Sequence, residues 1–117
     1  MIINYDGRRF RPVDKTSNSE TSAETVFIYS QQGQVVTATY AGGAVLFGHL
    51  IGQVDGDGVI EMRYHHVNSS LELQTGVCRS MPELLPDGRV RLHEAWRWTS
   101  GDCSAGRSVG RSVIEEL

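Results

Sequence analysis

Arg89-Val90-Arg91-Leu92-His93-Glu94-Ala95-Trp96-Arg97-Trp98 alternates along its length. Successive side chains of a strand point to opposite faces. Val90, Leu92, Glu94, Trp96 and Trp98 therefore share one face, and Arg89, Arg91, His93 and Arg97 share the other. An arginine-rich face belongs in water, so the aromatic face is interior. Residues 59–67 repeat the pattern, with Ile60, Met62, Tyr64 and His66 against Glu61, Arg63 and His65. In 35–41, Val36, Ala38 and Tyr40 oppose Val35, Thr37 and Thr39, which points Tyr40 inward.

Turn signals separate these runs about every ten residues: Gln32-Gly33, Gly42-Gly43, Asp55-Gly56-Asp57-Gly58, Asn68-Ser69-Ser70, Pro86-Asp87-Gly88 and Ser100-Gly101-Asp102. Gly accepts positive φ and Asp or Asn caps its own turn, so each marks a hairpin. The spacing predicts strands at about 7–13, 25–31, 35–41, 44–54, 59–67, 71–79, 89–98 and 107–115. Residues 14–24 are uniformly polar and read as a mobile loop between the first two strands. No segment sustains a 3.6 period, although Met81-Pro82-Glu83-Leu84-Leu85 suits one helical turn. About eight short antiparallel strands, wet on one face and apolar on the other, would expose sticky edges as a flat sheet. Closure into a single up-and-down meander barrel, lipocalin- or streptavidin-like, removes those edges. A two-sheet β-sandwich is the competing architecture, and tight sequential hairpins favour the barrel.

The sequence has 117 residues, enough for one domain over 1–117 with one modest core. Its net charge is −3, from 14 acidic and 11 basic residues, which argues against a nucleic-acid partner. No stretch approaches the ~18 apolar residues of a membrane span, so membrane insertion is not expected. Met1–Gly7 has no basic or apolar leader region, so a cytoplasmic location is expected, with Cys78 and Cys103 reduced. Asn68-Ser69-Ser70 matches a glycosylation acceptor, which such a location makes accidental. Nothing in the sequence indicates an oligomer.

Asn4-Tyr5-Asp6-Gly7-Arg8-Arg9-Phe10, Tyr64-His65-His66-Val67-Asn68, Thr75-Gly76-Val77-Cys78-Arg79-Ser80, Pro82–Arg89, Leu92-His93-Glu94, Trp96-Arg97-Trp98 and Ser112-Val113-Ile114-Glu115-Glu116 together resemble a family of small bacterial proteins. The resemblance implies a calycin-like barrel. Members often carry the label N-acetylglutamate synthase, and no catalytic residue is carried over with it. The tail departs from the family pattern: Gly106-Arg107-Ser108-Val109 is repeated as Gly110-Arg111-Ser112-Val113. A four-residue repeat preserves alternation and leaves open which copy pairs in the sheet.

The acetyltransferase label meets a physical objection. Coenzyme-A enzymes of the usual fold hold the pyrophosphate at a Gly-rich turn before a helix N-terminus. Arg107-Ser108-Val109-Gly110-Arg111-Ser112 mimics R-x-x-G-x-G/A but ends in Ser, and only five residues follow in this sequence. No alternation of strands and helices is present to build that fold.

Glu94 is the most informative candidate. A buried carboxylate must be hydrogen-bonded or paired, and the inward candidates are His66, Tyr64, Tyr40 and Arg79. It reads as a structural network, a polar ligand handle, or a carboxyl tuned for acid/base work. Trp96 and Trp98 face the same way and form either core filling or an aromatic platform. The ligand-binding candidates are thus Tyr40, Tyr64, His66, Arg79, Glu94, Trp96 and Trp98. No cofactor and no metal is expected. His65 and His66 point to opposite faces, His65 and His93 are both outward, and a zinc site needs three or four convergent ligands. Asp55–Gly58 lacks the later acids of a calcium loop.

Three functions remain at this level. A small-molecule-binding barrel needs an interior cavity lined by the candidates. An enzyme in that cavity needs Glu94 beside a second titratable group. A structural or interaction domain needs a filled interior and an apolar surface patch.

Overall fold

The computed structural model describes residues 3–101 and 108–117. Its strands are β1 (Arg9–Lys15), β2 (Val26–Gln32), β3 (Val35–Gly42), β4 (Val45–Val54), β5 (Ile60–Asn68), β6 (Leu73–Leu84), β7 (Val90–Trp98) and β8 (Val109–Glu116). Each pairs antiparallel with the next, and β8 returns to β1, which closes an up-and-down barrel. The hairpin turns sit where the glycines predicted them. Gly33, Gly43, Gly58 and Gly88 all adopt positive φ.

Two local expectations are corrected and one open question is answered. Met81–Leu84 is not a helical turn: β6 runs straight through it, with Met81 opposite His93 and Pro82 opposite Leu92. Pairing with β5 ends at Ser80, so Pro82 stands where β6 has a free side and a missing N–H is tolerated. The first strand begins at Arg9 rather than residue 7, because Tyr5–Arg8 form a turn closed by the Arg8 amide on the Tyr5 carbonyl, 3.1 Å. In the tail, the second copy of the repeat lies in the sheet, with Ser112 opposite Glu94 and Gly110 opposite Trp96; Gly106 and Arg107 of the first copy, like Cys103, lie outside the described residues.

The barrel is plugged at one end. Ile3 and Tyr5 fold beneath it, and the Tyr5 hydroxyl donates to the Gly58 carbonyl at 2.5 Å. Above this plug Phe10, Tyr29, Val36, Ile60, Leu92 and Ile114 are buried and fill the interior.

Toward the other end the interior changes character. Tyr40, Tyr64 and Trp96 lie directly opposite Gly48, Gly76 and Gly110 on the neighbouring strands. A Cβ at these glycines would fall 2.4, 2.1 and 2.1 Å from the respective rings. Each large aromatic is thus laid against bare backbone, which is how bulky rings fit inside a narrow barrel without filling it.

Candidate functional site

Alternation delivers six of the candidates to one place. Tyr40, Tyr64, His66, Glu94, Trp96 and Trp98 line a single chamber of about 50 Å³, together with Phe27, Leu50, Met62, Cys78 and Ser112. Arg79 is not among them. Its neighbours Cys78 and Ser80 are buried, so strand parity turns Arg79 to the outer face, where it pairs with Glu61.

The floor is polar. Ser80 Oγ donates to Glu94 Oε2 at 2.7 Å, and Ser112 Oγ donates to Glu94 Oε1 at 3.3 Å. Trp96 Nε1 donates in turn to Ser112 Oγ at 3.1 Å. The anticipated partners His66, Tyr64, Tyr40 and Arg79 do not bond Glu94. Serines hold it instead, because they face it directly from β6 and β8. Burial raises the Glu94 carboxyl above its ordinary value, against the lowering effect of the Ser80, Ser112 and Cys78 hydrogen bonds. Burial also pushes the Cys78 thiol and the Tyr29, Tyr40 and Tyr64 hydroxyls upward. Cys78 is a free, buried thiol. The buried Tyr29 hydroxyl has no hydrogen-bond partner among the described residues.

The walls are aromatic. Trp98 meets Trp96, Tyr64 and His66 edge-on, with ring centroids 5.4, 5.6 and 5.7 Å apart. Phe27 stacks on Tyr40 at 4.7 Å.

The roof comes from the polar segment between β1 and β2, and sequence reasoning missed its role. Ser19, Glu20 and Thr21 line the chamber. Glu20 Oε1 meets His66 Nε2 at 2.7 Å, and Asn68 Nδ2 donates to Glu20 Oε2 at 3.0 Å. His66 Nδ1 is 2.9 Å from the Tyr40 hydroxyl, so Glu20, His66 and Tyr40 form one chain. Trp98 Nε1 donates to the Asn18 carbonyl at 3.2 Å, and Asn18 Nδ2 donates to the Val109 carbonyl at 2.9 Å. Asn68, an acceptor for glycan by pattern alone, is buried with its amide held by Glu20 and Glu72.

The outward histidines have separate neighbours. His65 lies beside His49, with ring centroids 5.5 Å apart, whereas His93 bonds Glu83 at 2.8 Å. No cluster of three metal-ligating side chains occurs among the described residues. Gly110 and Ser112, the end of the coenzyme-like pattern, lie inside strand β8 rather than before a helix.

A closed eight-stranded antiparallel meander, plugged below and holding an aromatic chamber above, defines the small calycin-like barrels. Within that class, residues 3–117 match the family described as Avidin-like protein, and the chain belongs to it. No curated protein and no solved structure gives a significant match.

Proposed function

We propose that this protein binds a small molecule in the chamber beneath residues 19–21. The observation that carries the reading is the contrast within one barrel: the lower half is occupied by the buried side chains of Phe10, Tyr29, Val36, Ile60, Leu92 and Ile114, while the upper half keeps a void ringed by Tyr40, Tyr64, Trp96 and Trp98 over the Glu94 floor. Apolar and aromatic walls with a few placed polar groups are the usual make-up of a small-molecule pocket. Membership of the Avidin-like family supports a binding role for the barrel interior.

The chamber sets the ligand's size. A water needs roughly 10–15 Å³ of such space, so about 50 Å³ holds only a few non-hydrogen atoms while the roof is in place. A larger, partly aromatic ligand enters when the segment carrying Glu20 swings aside, and it then gains stacking area against Trp96 and Trp98.

Screening a fragment library by thermal shift and tryptophan fluorescence tests the reading. A ligand that binds the folded state alone raises the melting temperature by mass action. Hits should also perturb fluorescence, and Trp96→Ala should abolish that perturbation. A library without a single saturable hit would leave the chamber a packing void and end the proposal.

A further inference from the structure

Glu94 is a carboxylate with no counter-charge among the described residues: no Lys, Arg or His there pairs with it. Its flanking cations Arg79, Arg91 and Arg111 all leave the strands toward the outer face or its rim. His66, the one histidine in the chamber, is already engaged by Glu20 and Tyr40.

An indole N–H only donates, so Ser112 Oγ accepts from Trp96. With Glu94 ionised, Ser112 and Ser80 each donate to one of its oxygens. An ionised carboxylate offers about four lone-pair sites, so room remains for further donors from the chamber side. Above it stand Tyr64, Trp96 and Trp98, whose rings attract cations through their quadrupoles.

We propose that the chamber is a receptor for a small organic ammonium group, seated on Glu94 and enclosed by Tyr64, Trp96 and Trp98. This rests on the reading of the chamber as a ligand site. The ligand supplies the positive charge that the protein withholds from Glu94, and the narrow void selects a compact cationic head. Anything attached to that head passes upward, past Glu20.

The raised Glu94 carboxyl gives the proposal a pH signature. An alkylamine stays charged between pH 5 and 8, about two units or more below its pKa. Binding therefore displaces the Glu94 proton, and apparent affinity increases as pH rises through the Glu94 value. Glu94 is faced by Cys78 and Ser80 from β6 and Ser112 from β8, with Tyr29, Tyr40 and Tyr64 nearby on the inner side. On its other side it borders an outer groove lined by Asp14 and Lys15 of β1, Arg79 of β6, His93 of β7 and Arg111 of β8. The thiol and the phenols are pushed upward by burial and stay neutral in this range. Glu20 and His66 stand at the mouth and remain there when Glu94 is replaced.

The test compares ethylamine with ethanol and acetate, and benzylamine with benzyl alcohol, followed by the tryptophan indole N–H resonances in nuclear magnetic resonance titrations. The amines should bind at least about tenfold more tightly than the alcohols, the worth of one charge-assisted contact. Their affinity should climb as pH rises through the Glu94 value. Glu94→Gln should cut amine affinity about tenfold and flatten the climb. Alcohols or acetate binding as well as the amines would overturn the ammonium assignment while leaving a ligand site in place. Binding of the amines that is flat or falls with pH in the wild type would overturn it without recourse to any variant. If no probe of any class moves the Trp96 and Trp98 signals, the ligand site itself falls with it.

Discussion

A carboxyl bonded by two serine hydroxyls and no cation holds its proton to a higher pH in the folded chain than in the unfolded one. The sign of the linkage follows. Glu94 leaves stability at its full value below the ordinary carboxylate range. Stability is then lost as pH rises through that range to the raised folded value, and stays level above it. Glu94→Gln keeps the shape and an acceptor while having no proton to lose. The melting temperature of Glu94→Gln relative to wild type should therefore be higher at pH 8 than at pH 4. A difference of about 1 kcal/mol would appear as roughly 4 °C in a domain of this size. Calorimetry at both pH values checks this, and a gap that does not change with pH would mean that Glu94 is ionised on folding at no cost. Alternation alone placed Glu94, Trp96 and Tyr64 on the interior, because the intervening positions of their two strands are mostly charged or histidine: Arg91, His93 and Arg97 in β7, Glu61, Arg63 and His65 in β5. Arg79 was open to the same reasoning: Cys78 and Ser80 beside it are the apolar-side pair. Glu20 was not legible at all. A loop residue has no period, and nothing in Ser19-Glu20-Thr21 marks which side chain turns toward a histidine 46 positions away.

At the scale of paired strands, the chamber depends on three glycines. Gly110 illustrates the constraint: a methyl group there would fall 2.1 Å from the Trp96 ring, and β8 backbone cannot retreat without leaving β7. Trp96 would have to turn into the void or break its bond to Ser112. Gly110→Ala should thus lower stability by about 1–3 kcal/mol, the usual cost of overpacking, and should also close the chamber. Urea unfolding and the fluorescence of the two tryptophans measure both effects. A variant as stable as wild type with unchanged fluorescence would show that the ring has room to spare. The strands themselves could be read from turns and alternation. The ring-on-glycine pairs could not, because they depend on register, and register is altered by irregularities such as the one between Tyr40 and Gly42. The straight run of β6 past Pro82 was hidden for a related reason. Proline suits a helix start and a strand's free side equally well, and only the shorter reach of β5 decides between them.

For the whole molecule, closure is uneven, and the unevenness lies beside the chamber. Between β1 and β2 the register joins only Arg9 with Ile28 and Phe10 with Phe27. Beyond Phe10, β1 follows β8 as far as Lys15, where Ser112 is opposite, and the roof segment crosses the gap this leaves. By contrast β4 and β5 stay paired from Val54 with Ile60 to Val45 with Asn68. The edge argument that demanded a barrel was sufficient to predict closure, but not where the seam would be weakest. Nor could composition tell a solid interior from one with a void of about 50 Å³, since the difference is a few atoms of side-chain volume. Local opening follows the sparsest bonding, so among the described residues hydrogen exchange should be fastest, outside the chain ends, across residues 16–28. Paired amides of β4 and β5 should exchange at least about a hundredfold more slowly, reflecting the wide span from local to global opening. A ligand that occupies the chamber must be covered by the same segment, so its binding should slow exchange at 16–28 and leave β4 and β5 unchanged. Mass spectrometry of labelled peptides reads both. Equal protection of 16–28 and β5 in the free protein would refute the seam, and the way into the chamber would then have to lie between other strands.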